Sequence, residues 1–74
     1  MTTMIDLKAF AAERHEDFRI AKKHEREAED RYANEATKAN HDAYKRAQAW
    51  RADRKIAYHK ALAAWNAASE KAVR

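Results

Sequence analysis

The chain has no cysteine, no glycine and no proline. Without cysteine there is no disulfide framework and no thiolate metal site, a composition that suits a reducing cytoplasm. Without glycine the phosphate-cradling loops of nucleotide-binding proteins cannot be built, which excludes P-loop and dinucleotide readings. The usual residues of tight turns are missing with them. Ser69 is the only serine and has no neighbouring histidine, so a nucleophilic mechanism has no visible parts. Long apolar runs are also absent: the longest is Ala61 to Trp65, and Met1 to Asp6 lack the basic stretch and apolar run of a signal peptide. A cytoplasmic protein that neither crosses nor enters a membrane is expected.

What is present is mostly helix-forming. Of 74 residues 46% are apolar, but 19 are alanine, so the supply of large core side chains is thin. A buried methylene contributes about 0.8 kcal/mol, whereas fixing one residue's backbone costs about 1–2 kcal/mol. One domain spanning residues 1–74 is therefore expected to be marginal alone and to gain from a second copy.

Thr3 followed by Asp6 has the form of a helix N-cap with an acidic partner three residues on, starting a first helix at about residues 4–33. Leu7, Ala11, Phe18, Ala21, Ala28, Tyr32 and Ala36 keep the 3–4 spacing of a packed stripe, with Lys23/Glu27 and Glu27/Arg31 spaced to pair on the solvent side. Asn34, Thr37, Asn40 and Asp42 are poor helix formers in a cluster, which places a turn at about 34–41 and a second helix at about 42–72. Asn34 or Asn40 suits a left-handed C-terminal position, and Asn40 or Asp42 suits the next N-cap. The fold class expected is all-α: an antiparallel helical hairpin, pairing with a second copy into a four-helix bundle. The rival is one continuous helix in a long coiled coil, since no Gly or Pro forces a turn.

The second helix repeats a phrase: Ala43-Tyr44-Lys45-Arg46-Ala47 to Trp50 returns as Ala57-Tyr58-His59-Lys60-Ala61 to Trp65. Ala43, Ala47, Trp50, Ala57, Ala61, Trp65, Ala68 and Ala72 suggest one packed side. Ala49, Ala52, Ile56, Ala63 and Ala67 form another, and with Ile5, Ala9, Ala12 and Ile20 on the back of the first helix they are the expected dimer surface. Arg14, Glu25 and Arg54 fall on the stripes, where charges must pair, reach the edge or meet a partner.

No catalytic, cofactor or metal site is expected. The four histidines are 9, 17 and 18 residues apart, so no two share one helical turn, and no Glu-x-x-His pattern of dimetal bundles occurs. Charge is uneven: residues 1–37 carry a net −2 and residues 38–74 a net +6, so the first half could neutralise the second.

The candidate binding surface is a strip along the second helix: Tyr44, Arg51, Lys55 and Tyr58 at intervals of 7, 4 and 3, continued by Leu62, with Trp50 at its edge and Arg54 beside it. Tyr, Trp and Arg dominate interface hot spots because they bury large areas at modest entropy cost. The bland alternative is that these rings fill the hairpin core. Tyr44 and Trp50, six residues apart near the start of the second helix, give the chain a resemblance to small early proteins of bacteriophages that disable host regulators, the anti-quorum-sensing type of two-helix dimer. That resemblance implies an inhibitor of a host protein, a transcriptional activator, and also of a pilus-assembly ATPase. A second reading takes Lys45, Arg46, Arg51, Arg54, Lys55 and Lys60 as a nucleic-acid footprint, in a layout similar to the repressor-of-primer hairpins. The acidic first half opposes it, since it would repel phosphate when folded alongside. A coiled-coil spacer or assembly factor is the third class.

Overall fold

The computed structural model describes residues 3–73; Met1, Thr2 and Arg74, counted in the charge above, lie outside the described residues. Two helices, α1 (Met4–Asn34) and α2 (Lys38–Val73), pack side by side as a hairpin. Its principal extents are 56 × 18 × 13 Å. The continuous-helix alternative is not adopted.

Helix α1 starts where its sequence says. The Thr3 hydroxyl accepts from the Asp6 N–H at 3.1 Å, and the Thr3 N–H donates to the Asp6 carboxylate at 3.2 Å, a reciprocal capping box. The turn is shorter than the Asn/Thr/Asp cluster implies. It spans only residues 35–37, and α2 begins about four residues earlier than expected. Thr37, not Asn40 or Asp42, is the cap: its hydroxyl accepts from the Asn40 N–H at 3.1 Å. Asn40 works backwards, its side-chain amide donating to the Glu35 carbonyl at 2.8 Å and reaching the Arg31 carbonyl at 3.5 Å. The side chain thus adds a second donor to two carbonyls at the turn, where the Glu35 N–H already binds the Arg31 carbonyl and the Thr37 N–H the Glu35 carbonyl, each at 2.9 Å. Among the described residues none has positive φ, and Glu35 is extended at φ −142°.

Three contacts fix the antiparallel register: Tyr32 with Tyr44 (ring centroids 6.2 Å), Glu25 with Arg51, and Phe18 with Tyr58 (6.3 Å). They place the seam on a strict heptad in both helices. In α1 the a positions are Met4, Ala11, Phe18, Glu25 and Tyr32, and the d positions Leu7, Arg14, Ala21 and Ala28. In α2 the a positions are Tyr44, Arg51, Tyr58 and Trp65, and the d positions Ala47, Arg54, Ala61 and Ala68. Every one except Met4 is buried or half-buried. Towards the open end the register sets large against small, Trp65 level with Ala11 and Leu7 level with Ala68, while Phe18–Tyr58 and Tyr32–Tyr44 set ring against ring.

This seam differs from the expected one in three respects. That of α2 is rotated: it keeps Ala47, Arg54, Ala61, Trp65 and Ala68, takes in Tyr44, Arg51 and Tyr58, and leaves Trp50 39% exposed and Ala72 exposed. Ala36 falls in the turn, outside the α1 stripe. Within α1 the ion pairs are Glu16–Arg19 (2.6 Å), Arg14–Asp17 (3.4 Å) and Arg14–Glu13 (3.7 Å), while Lys23/Glu27 and Glu27/Arg31 do not pair.

The core is slight. The fully buried side chains among the described residues are Ala11, Ala21, Ala28 and Ala61. Stability therefore rests on close backbone approach along the alanines and on half-buried rings, and Ile5 (80% exposed) and Ile56 (57%) find no cover within the hairpin.

Candidate functional site

The six strip residues do not share one open surface. Tyr44 is half-buried against Tyr32, whose ring also meets His41 at 5.2 Å. Tyr58 is half-buried too, with His15 edge-on at 5.0 Å, Phe18 at 6.3 Å and His59 at 5.7 Å. Arg51 reaches across to the half-buried Glu25, and Arg54 turns to its neighbour Asp53. Lys55 is exposed, with no carboxylate within ion-pair distance among the described residues. Trp50 lies on the opposite side of the seam, its ring 5.1 Å from His24. Four of the six residues are thus seam positions, and three of them, Tyr44, Arg51 and Tyr58, recur at intervals of seven for that reason.

The rings are sorted within the seam. Phe18, Tyr32, Tyr44, Tyr58 and Trp65 all occupy a positions, while the d positions of α2 are alanine apart from Arg54. In an antiparallel pair the a positions open towards the e and b residues and the d positions towards g and c. The hairpin thus has an aromatic-edged flank and an alanine-edged flank. A depression lined by Lys8, Ala11, His15, Tyr58, Leu62 and Trp65 marks the first, and one lined by His24, Ala28, Arg31, Ala43, Ala47 and Trp50 the second.

Charge follows the same division. On the aromatic-edged flank α1 contributes Lys8, Arg19, Lys22 and Arg26, and α2 contributes Lys38, Lys45 and Lys55, all exposed. His15, His41 and His59 lie on this side as well, and Glu29 is its one carboxylate at the e and b positions. Of these cations Lys22 lies 4.8 Å over the Phe18 ring, and Arg19 alone among the described residues meets a carboxylate, bound to Glu16 through two hydrogen bonds of 2.6 and 3.0 Å. That contact holds the Glu16 carboxyl below its ordinary value and raises the Arg19 guanidinium above its own. Asp6, Glu13, Asp17, Glu27 and Asp53 sit at g and c positions on the other flank. The expected neutralisation of one helix by the other is realised across the interface only at Glu25–Arg51 among the described residues.

The alanine-edged flank carries exposed apolar groups: Phe10 (49% exposed), Ile20 (38%) and Trp50 (39%). Arg14 stacks its guanidinium 4.8 Å above the Phe10 ring, with its Nε buried and unpartnered. The charges expected to be costly at the seam are thus met in three ways. Glu25 pairs across the interface, Arg14 pairs along its own helix with Asp17 and Glu13, and Arg54 turns to Asp53 at its edge.

The α1 half of both flanks escaped the sequence reading. Lys8, Lys22 and Arg26 were recoverable by carrying the α1 heptad outward to its e and b positions and pairing it antiparallel with α2. Chemically the basic flank offers ammonium and guanidinium donors to anionic oxygens. Among the described residues no cluster of three His, Asp or Glu is arranged to hold a metal ion, and no helix is long and apolar enough to cross a membrane. No family model, no curated protein and no solved structure matches this chain.

Proposed function

We propose that this chain is a non-enzymatic binding protein that docks its basic, aromatic-edged flank onto an anionic macromolecular partner. The observation that carries the reading is the imbalance of charge by flank: seven cations from both helices against one carboxylate, Glu29, at the e and b positions, whereas the g and c positions hold five carboxylates against four cations, Arg31, Arg46, Lys60 and Lys71. Such a field steers an anionic partner to one orientation and speeds its association. The objection that α1 would repel anions loses its force, because at the flank α1 contributes four cations and α2 three.

A protein partner held by the other flank is the second reading, and exposed Phe10, Ile20 and Trp50 favour it. It is the surface on which inhibition of a host regulator, the phage-protein expectation, would now rest, with Trp50 as its anchor. Under either reading we propose a homodimer. Support comes from the alanine-only buried core and from the outermost row of α2, where Ile56 stands exposed between Ala49 and Ala63. A second copy on that row would complete a four-helix bundle.

Affinity capture from host lysate at about physiological salt separates the two surfaces when three baits are compared: the natural protein, Lys22→Glu/Arg26→Glu/Lys55→Glu, and Phe10→Ala/Trp50→Ala. A partner lost only by the charge-reversed bait is the expected result. A partner lost only by the Phe10/Trp50 bait overturns the basic-flank reading in favour of the second.

A further inference from the structure

We infer that the partner of the basic flank is a double-stranded nucleic acid, gripped by its phosphate backbone and not read for sequence. This rests on the reading of that flank as an anion-binding surface and names its ligand.

The cations are placed for a long polyanion, not for a single phosphate. From Lys38 beside the turn to Lys8 near the open end, the antiparallel register spreads them over about 45 Å at 1.5 Å per residue. Lys45, Arg26, Lys22 and Lys55 fall between. One turn of duplex is about 34–36 Å, so the flank runs past a full turn and meets both strands. Among the described residues Lys8, Lys22, Arg26, Lys38, Lys45 and Lys55 have no carboxylate within 4.0 Å, so no ion pair seen there must break first.

Width decides how the duplex is held. One α-helix enters a major groove about 12 Å wide, but this flank is made by two helices side by side, in a body 18 Å across. It must straddle the groove and touch its phosphate rims, where contacts position the protein but carry no base identity. The rings argue against a single strand. Proteins that bind unpaired strands offer open ring faces on which bases stack. Here Tyr32, Tyr44, Tyr58 and Trp65 are half-buried in the seam, and the three tyrosines are already packed on other rings.

Fluorescence anisotropy with the full chain tests this, using labelled 20-base-pair DNA and RNA duplexes of two unrelated sequences, their single strands, and polyglutamate, at 50–200 mM salt. The two sequences should bind alike, single strands more weakly, and duplex affinity should fall several-hundred-fold over that range, a log–log slope of about −4 to −5 for roughly five phosphate contacts. Lys22→Glu/Arg26→Glu/Lys55→Glu should lose at least about 30-fold at 50 mM salt and flatten the slope by about three. Lys23→Glu/Arg46→Glu/Lys71→Glu, which changes net charge identically from the other sides, should lose less than a tenth as much. Circular dichroism confirms that both variants remain helical. DNA against RNA distinguishes the two sources of the same backbone chemistry. Equal losses in both variants would reduce the effect to net charge and overturn the inference, as would preference for single strands. Binding to polyglutamate but to no duplex overturns the nucleic-acid assignment and spares the anion-binding flank; binding to no polyanion overturns both.

Discussion

Glu25 on α1 and Arg51 on α2 meet at facing a positions, the charged layer between the Phe18–Tyr58 and Tyr32–Tyr44 ring pairs. The Glu25 side chain is 17% exposed and that of Arg51 35%, so the pair is neither a solvated surface bridge nor a sealed one. A charged layer between apolar ones discriminates against slipped registers, because a shift by one heptad sets Glu25 against Tyr44 or Tyr58.

Glu25→Ala should therefore cost about 1–2 kcal/mol, between the values of exposed and buried pairs, by leaving Arg51 half-desolvated. Glu25→Leu with Arg51→Leu should unfold at the same or higher urea concentration and show greater register heterogeneity. Urea titration and inter-helix spin-label distances read the two effects separately.

At the turn, Thr37→Ala and Asn40→Ala should each destabilise by about 1 kcal/mol. Their effects should not add, because the Asn40 backbone binds Thr37 while its side chain binds Glu35. The double variant gains helix propensity where it loses caps, so small-angle scattering should detect particles longer than the 56 Å hairpin.

That turn shows where sequence reading stops. The Thr3–Asp6 box was legible because both partners lie within one helical turn. Asn40 was read as a helix breaker because its propensity is local, whereas its function is to reach back over the turn to Glu35. The α1 seam was legible from Leu7, Phe18 and Tyr32 in one row. In α2 alanine occurs on every side and gives no direction, so the repeat of Tyr44, Arg51 and Tyr58 fitted a surface strip as well as a seam. The basic flank needs a register between two helices, which neither helix carries alone.

The two tryptophans should respond differently to truncation. Trp65→Ala, opposite Ala11 in the seam, should cost about 2–3 kcal/mol, less than a fully buried ring. Trp50→Ala should stay within about 1 kcal/mol, since its ring is 39% exposed. Denaturant midpoints at equal protein concentration check both.

The Glu16–Arg19 contact predicts a pH dependence. Because the folded Glu16 carboxyl titrates below its ordinary value of 4.5, through its hydrogen bond to Arg19, its contribution is present above that value. It is lost as pH falls through the lowered folded value. The stability difference between the natural chain and Glu16→Gln should be constant near neutrality and vanish in acid. Carboxyl-carbon NMR should show the Glu16 midpoint returning towards the ordinary value in Arg19→Gln.

The measurement closest to the central claim is an amide NMR titration of the full chain with duplex DNA or RNA and, separately, with polyglutamate. An anion-binding flank predicts shifts concentrated at Lys8, Lys22, Arg26, Lys45 and Lys55, with Lys23, Arg46 and Lys71 nearly still. Shifts centred on Phe10, Ile20 and Trp50, or spread evenly over every lysine and arginine, would contradict it.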